Sequence, residues 1–280
     1  MTTEYSVRFA THPDDYKRYD TETLRKHYHV SNLFQQDRVS LTYTHYERLI
    51  VGGVFPVTRA LPLETIDPLK AEYFLHRREL GAINIGGPGT ITVDGTVHEI
   101  GYREAMYLGA GNKQVEFASV DSGKPAKFYI NSAPAHHSYP DRKVGMADAD
   151  AMTLGSGETC NERTINKLLV NTVVETCQLQ MGLTEFHPGS VWNTMPAHIH
   201  DRRMEAYFYF ELPEDQAVCH FMGPKEETRH IWMGNEEAVV SPPWSMHTGV
   251  GTSSYVFIWG MAGENLDYGD MDHCQPHELR

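Results

Sequence analysis

Thr90-Ile91-Thr92-Val93-Asp94-Gly95-Thr96-Val97-His98-Glu99-Ile100 reads as two short strands joined by an Asp-Gly turn. Both central turn residues need positive φ, which Asp and Gly adopt at low cost, so the stretch is a type I′ hairpin. Similar β-branched and aromatic runs lie around it, at Ser40 to Tyr46, Arg48 to Val54, Ala82 to Ile85, Ala105 to Leu108 and Val115 to Ser119. Beyond Asn171 a second series follows: Thr176 to Thr184, Glu205 to Glu211, Ala217 to Met222, Arg229 to Met233, Ala238 to Ser241 and Tyr255 to Met261. Short strands at this spacing, broken by Gly, Pro and Asp, indicate an all-β sandwich or barrel. Asp20 to His27 is the one early helix expected, capped by Asp20 or Thr21.

Between the two series, roughly from Ser132 to Glu162, the chain is rich in turns and less periodic, and some local helix is expected there. The organisation expected is therefore an N-terminal barrel over 1–132, a connection over 133–170 and a C-terminal barrel over 171–280. The series read as a degenerate duplication: Arg77-Arg78-Glu79 resembles Arg202-Arg203-Met204-Glu205, and each is followed by a Gly-Pro turn.

The chain has 280 residues with 40% apolar content, enough for a substantial core. Its formal net charge of −13 argues against nucleic acid as a partner, though a local cation cluster can still hold a small anion. The longest apolar run near the C-terminus, Tyr255 to Ala262, is too short to span a bilayer. The first residues carry no charged-then-apolar signal pattern. The four cysteines, Cys160, Cys177, Cys219 and Cys274, stand far apart, so reduced thiols and a cytoplasmic location are expected.

Chemistry concentrates at His198-Ile199-His200-Asp201-Arg202-Arg203-Met204-Glu205. Two histidines two apart on a strand point to one face. A turn through Asp201-Arg202-Arg203 can fold Glu205 back to them, and His247 follows in Ser241-Pro242-Pro243-Trp244-Ser245-Met246-His247. Three imidazoles and a carboxylate suit a borderline divalent metal such as zinc, iron, nickel or manganese. The first series lacks a His-x-His pair, so only the second is expected to hold metal.

His-x-His, a following Glu and a late His resemble the two motifs of the cupin superfamily. Longer strings, among them Arg163-Thr164-Ile165-Asn166-Lys167, Trp192-Asn193-Thr194-Met195-Pro196, Glu227-Thr228-Arg229-His230-Ile231 and Gly86-Gly87-Pro88-Gly89-Thr90, resemble the 5-keto-4-deoxyuronate isomerase family from about Leu24 to Arg280. That resemblance implies a bicupin of two antiparallel jelly-roll barrels with a few short helices. It implies a hexamer that binds one Zn2+ per subunit through His198, His200, Glu205 and His247, the donor set also admitting other divalent metals. The activity it implies is conversion of 5-dehydro-4-deoxy-D-glucuronate to 3-deoxy-D-glycero-2,5-hexodiulosonate in pectin breakdown, through a metal-stabilised cis-enediolate.

Such a reaction needs a general base within reach of a carbon-bound proton. Glu185, Tyr207, Tyr209 and a metal-bound hydroxide are the candidates. The substrate carboxylate needs a cation, for which Arg163, Lys167, Arg202 and Arg229 are available. Two other readings share the same residues: an iron dioxygenase or other metal-dependent cupin enzyme, and a uronate-binding bicupin without turnover.

Overall fold

The computed structural model describes residues 2–280. The chain is almost entirely strand, with two short helices and a few 3-10 turns among the described residues. It forms two compact units that interleave along the sequence. The first comprises Met1–Arg8, Asn32–Asp150 and Leu168–Met181; the second comprises Phe9–Ser31, Ala151–Lys167 and Gly182–Arg280. The sequence reading drew contiguous blocks instead. It gave the first block residues 9–31, which fold with the second unit: Thr21–Tyr28 is a helix capped by the Asp20 carboxylate, and His29–Val30 then joins a sheet of that unit beside Glu237–Ser241.

In the first unit a seven-stranded sheet has the order Thr3–Arg8, Arg38–Thr44, Ile50–Phe55, Phe128–Pro134, Arg78–Asn84, Ala105–Leu108, Arg142–Val144. A four-stranded sheet contains the hairpin Gly89–Val93 with Thr96–Ile100. Asp94 and Gly95 have φ of 44° and 87°, as the I′ turn requires. Val39, Leu41, Ile50, Leu80, Ile91, Phe117 and Phe128 pack into one apolar cluster, the alternate residues of their strands.

The second unit repeats the plan. Its seven-stranded sheet runs Asp150–Leu154, Arg163–Leu169, Gln180–Phe186, Val256–Gly263, Arg203–Phe210, Glu237–Ser241, His29–Val30. Its five-stranded sheet runs Arg229–Met233, Val218–Gly223, Met246–Gly251, Trp192–Ile199, Asp272–Cys274. Arg78–Asn84 and Arg203–Phe210 hold the same place, fifth, in their sheets. Arg78 faces Pro134, the last residue of its neighbour, and Arg203 faces Gly263, the last of its own. The equivalent of Glu205 is therefore Leu80, a core residue, and not Glu79 as the Arg-Arg-Glu likeness had it.

Glu79 has a different task. Its fully buried carboxylate accepts hydrogen bonds from the Tyr107 hydroxyl and from the backbone N–H groups of Cys177, Gln178 and Leu179, each at 2.8 Å. Those N–H groups are therefore spent, and the strand expected at Thr176 to Thr184 begins only at Gln180. The expected strand at Arg48 likewise starts later, at Ile50, because Glu47 and Arg48 both have positive φ and form the turn. The segment expected to contain local helix has two 3-10 turns, Met146–Asp148 and Gly157–Thr159, and two edge strands, Arg142–Val144 and Asp150–Leu154.

Candidate metal centre

His198 stands on a strand flanked by two others, with His247 opposite it on one side and His273 on the other. Directly opposed residues share a face, so the three imidazoles are brought abreast by pairing alone. Their adjacent residues Ala197, Met246 and Cys274 form a small apolar cluster on the reverse face. His200 follows His198 at period two, just past the strand end. The turn is closed by Arg202 N–H donating to the His200 carbonyl, with Asp201 in the left-handed region at φ 50°. It leads into Arg203–Phe210, a central strand whose third residue is Glu205.

The ligating atoms of His198, His200, Glu205 and His247 all lie within 4.8 Å of one another, and all four residues are buried. Glu205 Oε2 is 2.6 Å from His247 Nε2, 2.9 Å from His200 Nε2 and 3.9 Å from His198 Nε2. His247 Nε2 is buried beside the carboxylate and has no well-aligned hydrogen-bond partner, which leaves this nitrogen available to a cation. Burial would raise the Glu205 pKa, but His247 and His200 outweigh it and hold the carboxylate below its ordinary range. Burial, with His247 and His200 beside it, pushes His198 well below the ordinary histidine value. An ionised carboxylate and a neutral imidazole are the forms that bind a cation. The residues thus fit a divalent metal.

Arg203 and the Asp270 carbonyl flank His200 Nδ1 at 3.2 and 3.1 Å, and Arg203 also donates to that carbonyl at 3.0 Å. This arrangement orients the ring so that Nε2 faces the cluster. Replacing Arg203, which is 1% exposed, by Met should keep the volume and lose the support. Metal affinity is expected to fall roughly 10–100-fold. Competition against a calibrated chelator measures it; unchanged affinity would show that the ring is held without Arg203.

The cluster opens on a cavity of about 360 Å3 within the second unit, a size suited to a small molecule. One wall is a face of the seven-stranded sheet, read at period two: Arg163, Ile165 and Lys167; Thr184; Phe257, Trp259 and Met261; Glu205 and Tyr207. Asn193, Thr194, His198 and His273 line it from the other sheet, and Tyr268 from a loop. Gly182 is required here, since a Cβ at that position would stand 2.3 Å from the Trp259 ring.

Of the expected substrate cations, Arg163 and Lys167 are in this cavity. Arg163 donates to Asn193 Oδ1 at 2.7 Å and to the Asn161 carbonyl at 2.9 Å; the Lys167 ammonium lies 5.1 Å from the centre of the Tyr268 ring. Arg202 is exposed and paired with Glu264 at 2.9 Å, and Arg229 is paired with Glu227 at 2.7 Å; neither lines the cavity. Among the expected bases only Tyr207 lines it. Glu185 is out of phase with Thr184 and faces the other side of its strand. Tyr209 is fully buried, its hydroxyl 2.8 Å from His220 Nδ1. Burial raises both phenols well above their ordinary value, so both are neutral at physiological pH.

His273, Trp259, Asn193 and Tyr268 went unread as site residues. The signal for His273 was weak: a lone His in a three-residue strand, Asp272–Cys274, that only tertiary pairing brings beside His198.

Comparison with known proteins agrees with this architecture. The model of the KduI/IolB family matches residues 28–277. The chain is 60% identical, over the full length of both, to a Formosa agariphila protein named 4-deoxy-L-threo-5-hexosulose-uronate ketol-isomerase. Among solved structures it resembles an IolB-like protein of Salmonella typhimurium, with a TM-score of 0.67 and 14% identity over 81% of this chain and 87% of that one. It also resembles the Bacillus subtilis oxalate decarboxylase, a protein with Mn(II) centres, with a TM-score of 0.55 and 10% identity over 80% of this chain and 71% of that one. These last two likenesses concern the fold alone. With the family model matched across nearly all of its length, the chain belongs to the KduI/IolB family.

Proposed function

We propose that the protein is a metal-dependent ketol-isomerase acting on 4-deoxy-L-threo-5-hexosulose-uronate, the 5-dehydro-4-deoxy-D-glucuronate of pectin breakdown. The observation that carries this is the three-His, one-Glu cluster on the wall of a cavity that also presents Arg163 and Lys167. Full-length identity of 60% to a protein bearing that name supports it.

The reaction moves a proton from C2 to C1 and a hydroxyl proton from O2 to O1. His198, His200, Glu205 and His247 would hold a divalent cation, which as a Lewis acid polarises the carbonyl and offsets negative charge on the neighbouring oxygen. Arg163 and Lys167, which line the same cavity, take the substrate carboxylate. Tyr207 keeps its proton and would serve as a hydrogen-bond donor to substrate oxygen, not as the base. Phe257, Trp259 and Met261 exclude water. Zinc as the native metal and a hexameric assembly, implied by the family resemblance, and a cytoplasmic location and a metal-free first barrel, read from the residues, belong to this proposal. No helix among the described residues is long and apolar enough to cross a membrane.

Turnover of this substrate should be equal in air and under argon and should stop on chelation. Oxygen uptake coupled to turnover would identify a dioxygenase instead, and saturable binding without turnover a carrier. Within the cavity, Tyr207→Phe is expected to lower kcat roughly 10²-fold. Glu185→Gln should leave kcat unchanged, because its side chain faces away from the cavity. Steady-state kinetics on the two variants decides between them; the reverse ranking would return Glu185 to the reaction.

A further inference from the structure

The first unit contains a second cavity, of about 440 Å3, lined by Arg48, Arg77 and Arg78 together with Tyr43, Phe74 and Leu69. No carboxylate lines it among the described residues. Arg78 is only 5% exposed. Its hydrogen bonds go entirely to neutral oxygens: Nε to Ser132 Oγ at 3.1 Å, and Nη2 to the carbonyls of Arg48 and Ser132, both at 2.7 Å. Its sequence neighbour Glu79 cannot neutralise it by direct contact, since adjacent strand residues face opposite ways and that carboxylate already accepts four bonds. Burial lowers the Arg78 pKa to about 10, which still leaves it charged at neutral pH.

A buried cation with no carboxylate in contact is costly, Glu79 acts on it only through space, and the Arg48 guanidinium adds repulsion. Arg77 is positioned by donating to the Lys70 carbonyl at 2.9 Å. Three positive forks around one space, in a chain of formal net charge −13, call for an anion there. A guanidinium fork matches the paired oxygens of a carboxylate or phosphate. The aromatic and aliphatic walls and the volume exceed what a bare inorganic ion needs.

We propose that this cavity binds a small organic anion, its carboxylate or phosphate held by Arg48, Arg77 and Arg78 and its body lying against Tyr43, Phe74 and Leu69. The site belongs wholly to the first unit, which contributes no residue to the metal cluster. It does not depend on the reaction assigned to the second unit.

The test is calorimetric titration of the metal-loaded full-length chain with D-galacturonate, D-glucose 6-phosphate, inorganic phosphate and, as a neutral control, D-galactose. The same titrations are run on the Arg48→Gln/Arg77→Gln chain, whose changes fall at exposed residues and leave the Arg78 core intact. Binding at the metal cavity is common to both proteins and cancels in the comparison. At least one of the two sugar anions is expected to bind the unaltered chain and to lose affinity by about 10-fold or more in the variant. The neutral sugar should not bind, and isomerase kcat should be unchanged. Which sugar anion binds tells carboxylate from phosphate. Equal affinities in the two proteins, or binding of inorganic phosphate alone, would overturn the proposal.

Discussion

His247→Ala is expected to lose bound metal and to lose isomerase turnover by a factor on the order of 10³ or more, while keeping its β-sheet circular dichroism. The size follows from the several kcal/mol of charge stabilisation that a Lewis acid supplies, at about 1.4 kcal/mol per tenfold in rate. Of the three imidazoles, that of His247 stands nearest the Glu205 carboxylate, at 2.6 Å. The fold should survive because the strand Met246–Gly251 keeps its pairing with both neighbours, and Glu205 keeps His200 at 2.9 Å. His198→Ala should behave alike. Metal content by emission spectroscopy, activity and circular dichroism on the same sample check it. A variant that keeps its metal stoichiometry and its rate would remove His247 from the centre.

The second large effect is on stability, and it lies in the first unit. Glu79→Ala should destabilise the chain by about 3–5 kcal/mol, because four buried donors lose one acceptor and each unsatisfied group costs about 1–3 kcal/mol before relaxation. Three backbone N–H groups and the Tyr107 hydroxyl lose their acceptor at once. Tyr107→Phe removes a single bond of the four and should cost only about 1 kcal/mol. Urea unfolding followed by fluorescence distinguishes them. Similar midpoints for the two variants would mean that Glu79 is not the anchor of residues 177–179.

Much of this was legible because strands and metal ligands obey short-range rules. Asp94-Gly95 between two β-branched runs has one good solution, a I′ hairpin, and His198-x-His200 has one consequence on a strand, a shared face. Phase and exposure defeated the rest. Glu185 looks like a base in composition, but its position one residue after Thr184 puts it on the wrong side. Arg202 and Arg229 are cations in the right strings whose charges are already answered by Glu264 and Glu227. Thr3–Arg8 was unreadable as a strand because its residues are polar and half-exposed; it pairs in parallel along the sheet edge with Arg38–Thr44. The compact units also escaped the sequence, since nothing local shows that residues 9–31 fold with the second unit, not with the strands that follow them.

The two Arg-Arg pairs hold equivalent strand positions, but the Glu that follows each does not. Matching Arg-Arg-Glu to Arg-Arg-Met-Glu pairs Glu79 with Glu205, whereas strand position pairs Leu80 with Glu205. The first unit has an apolar core residue at the point where the second presents Glu205 to the three imidazoles.

Isomerisation of an aldehydic deoxy-keto-uronate through the three-His, one-Glu cluster has a direct spectroscopic readout. The most direct measurement is proton NMR of that substrate with the purified chain, metal-loaded and metal-stripped, with metal content determined on both. The loaded chain is expected to replace the C1 aldehyde signals, in free and hydrated form, with those of a hydroxymethyl group next to a new ketone, and the stripped chain to do nothing until metal is restored. Full turnover by the stripped chain, or none by the loaded one, would contradict it.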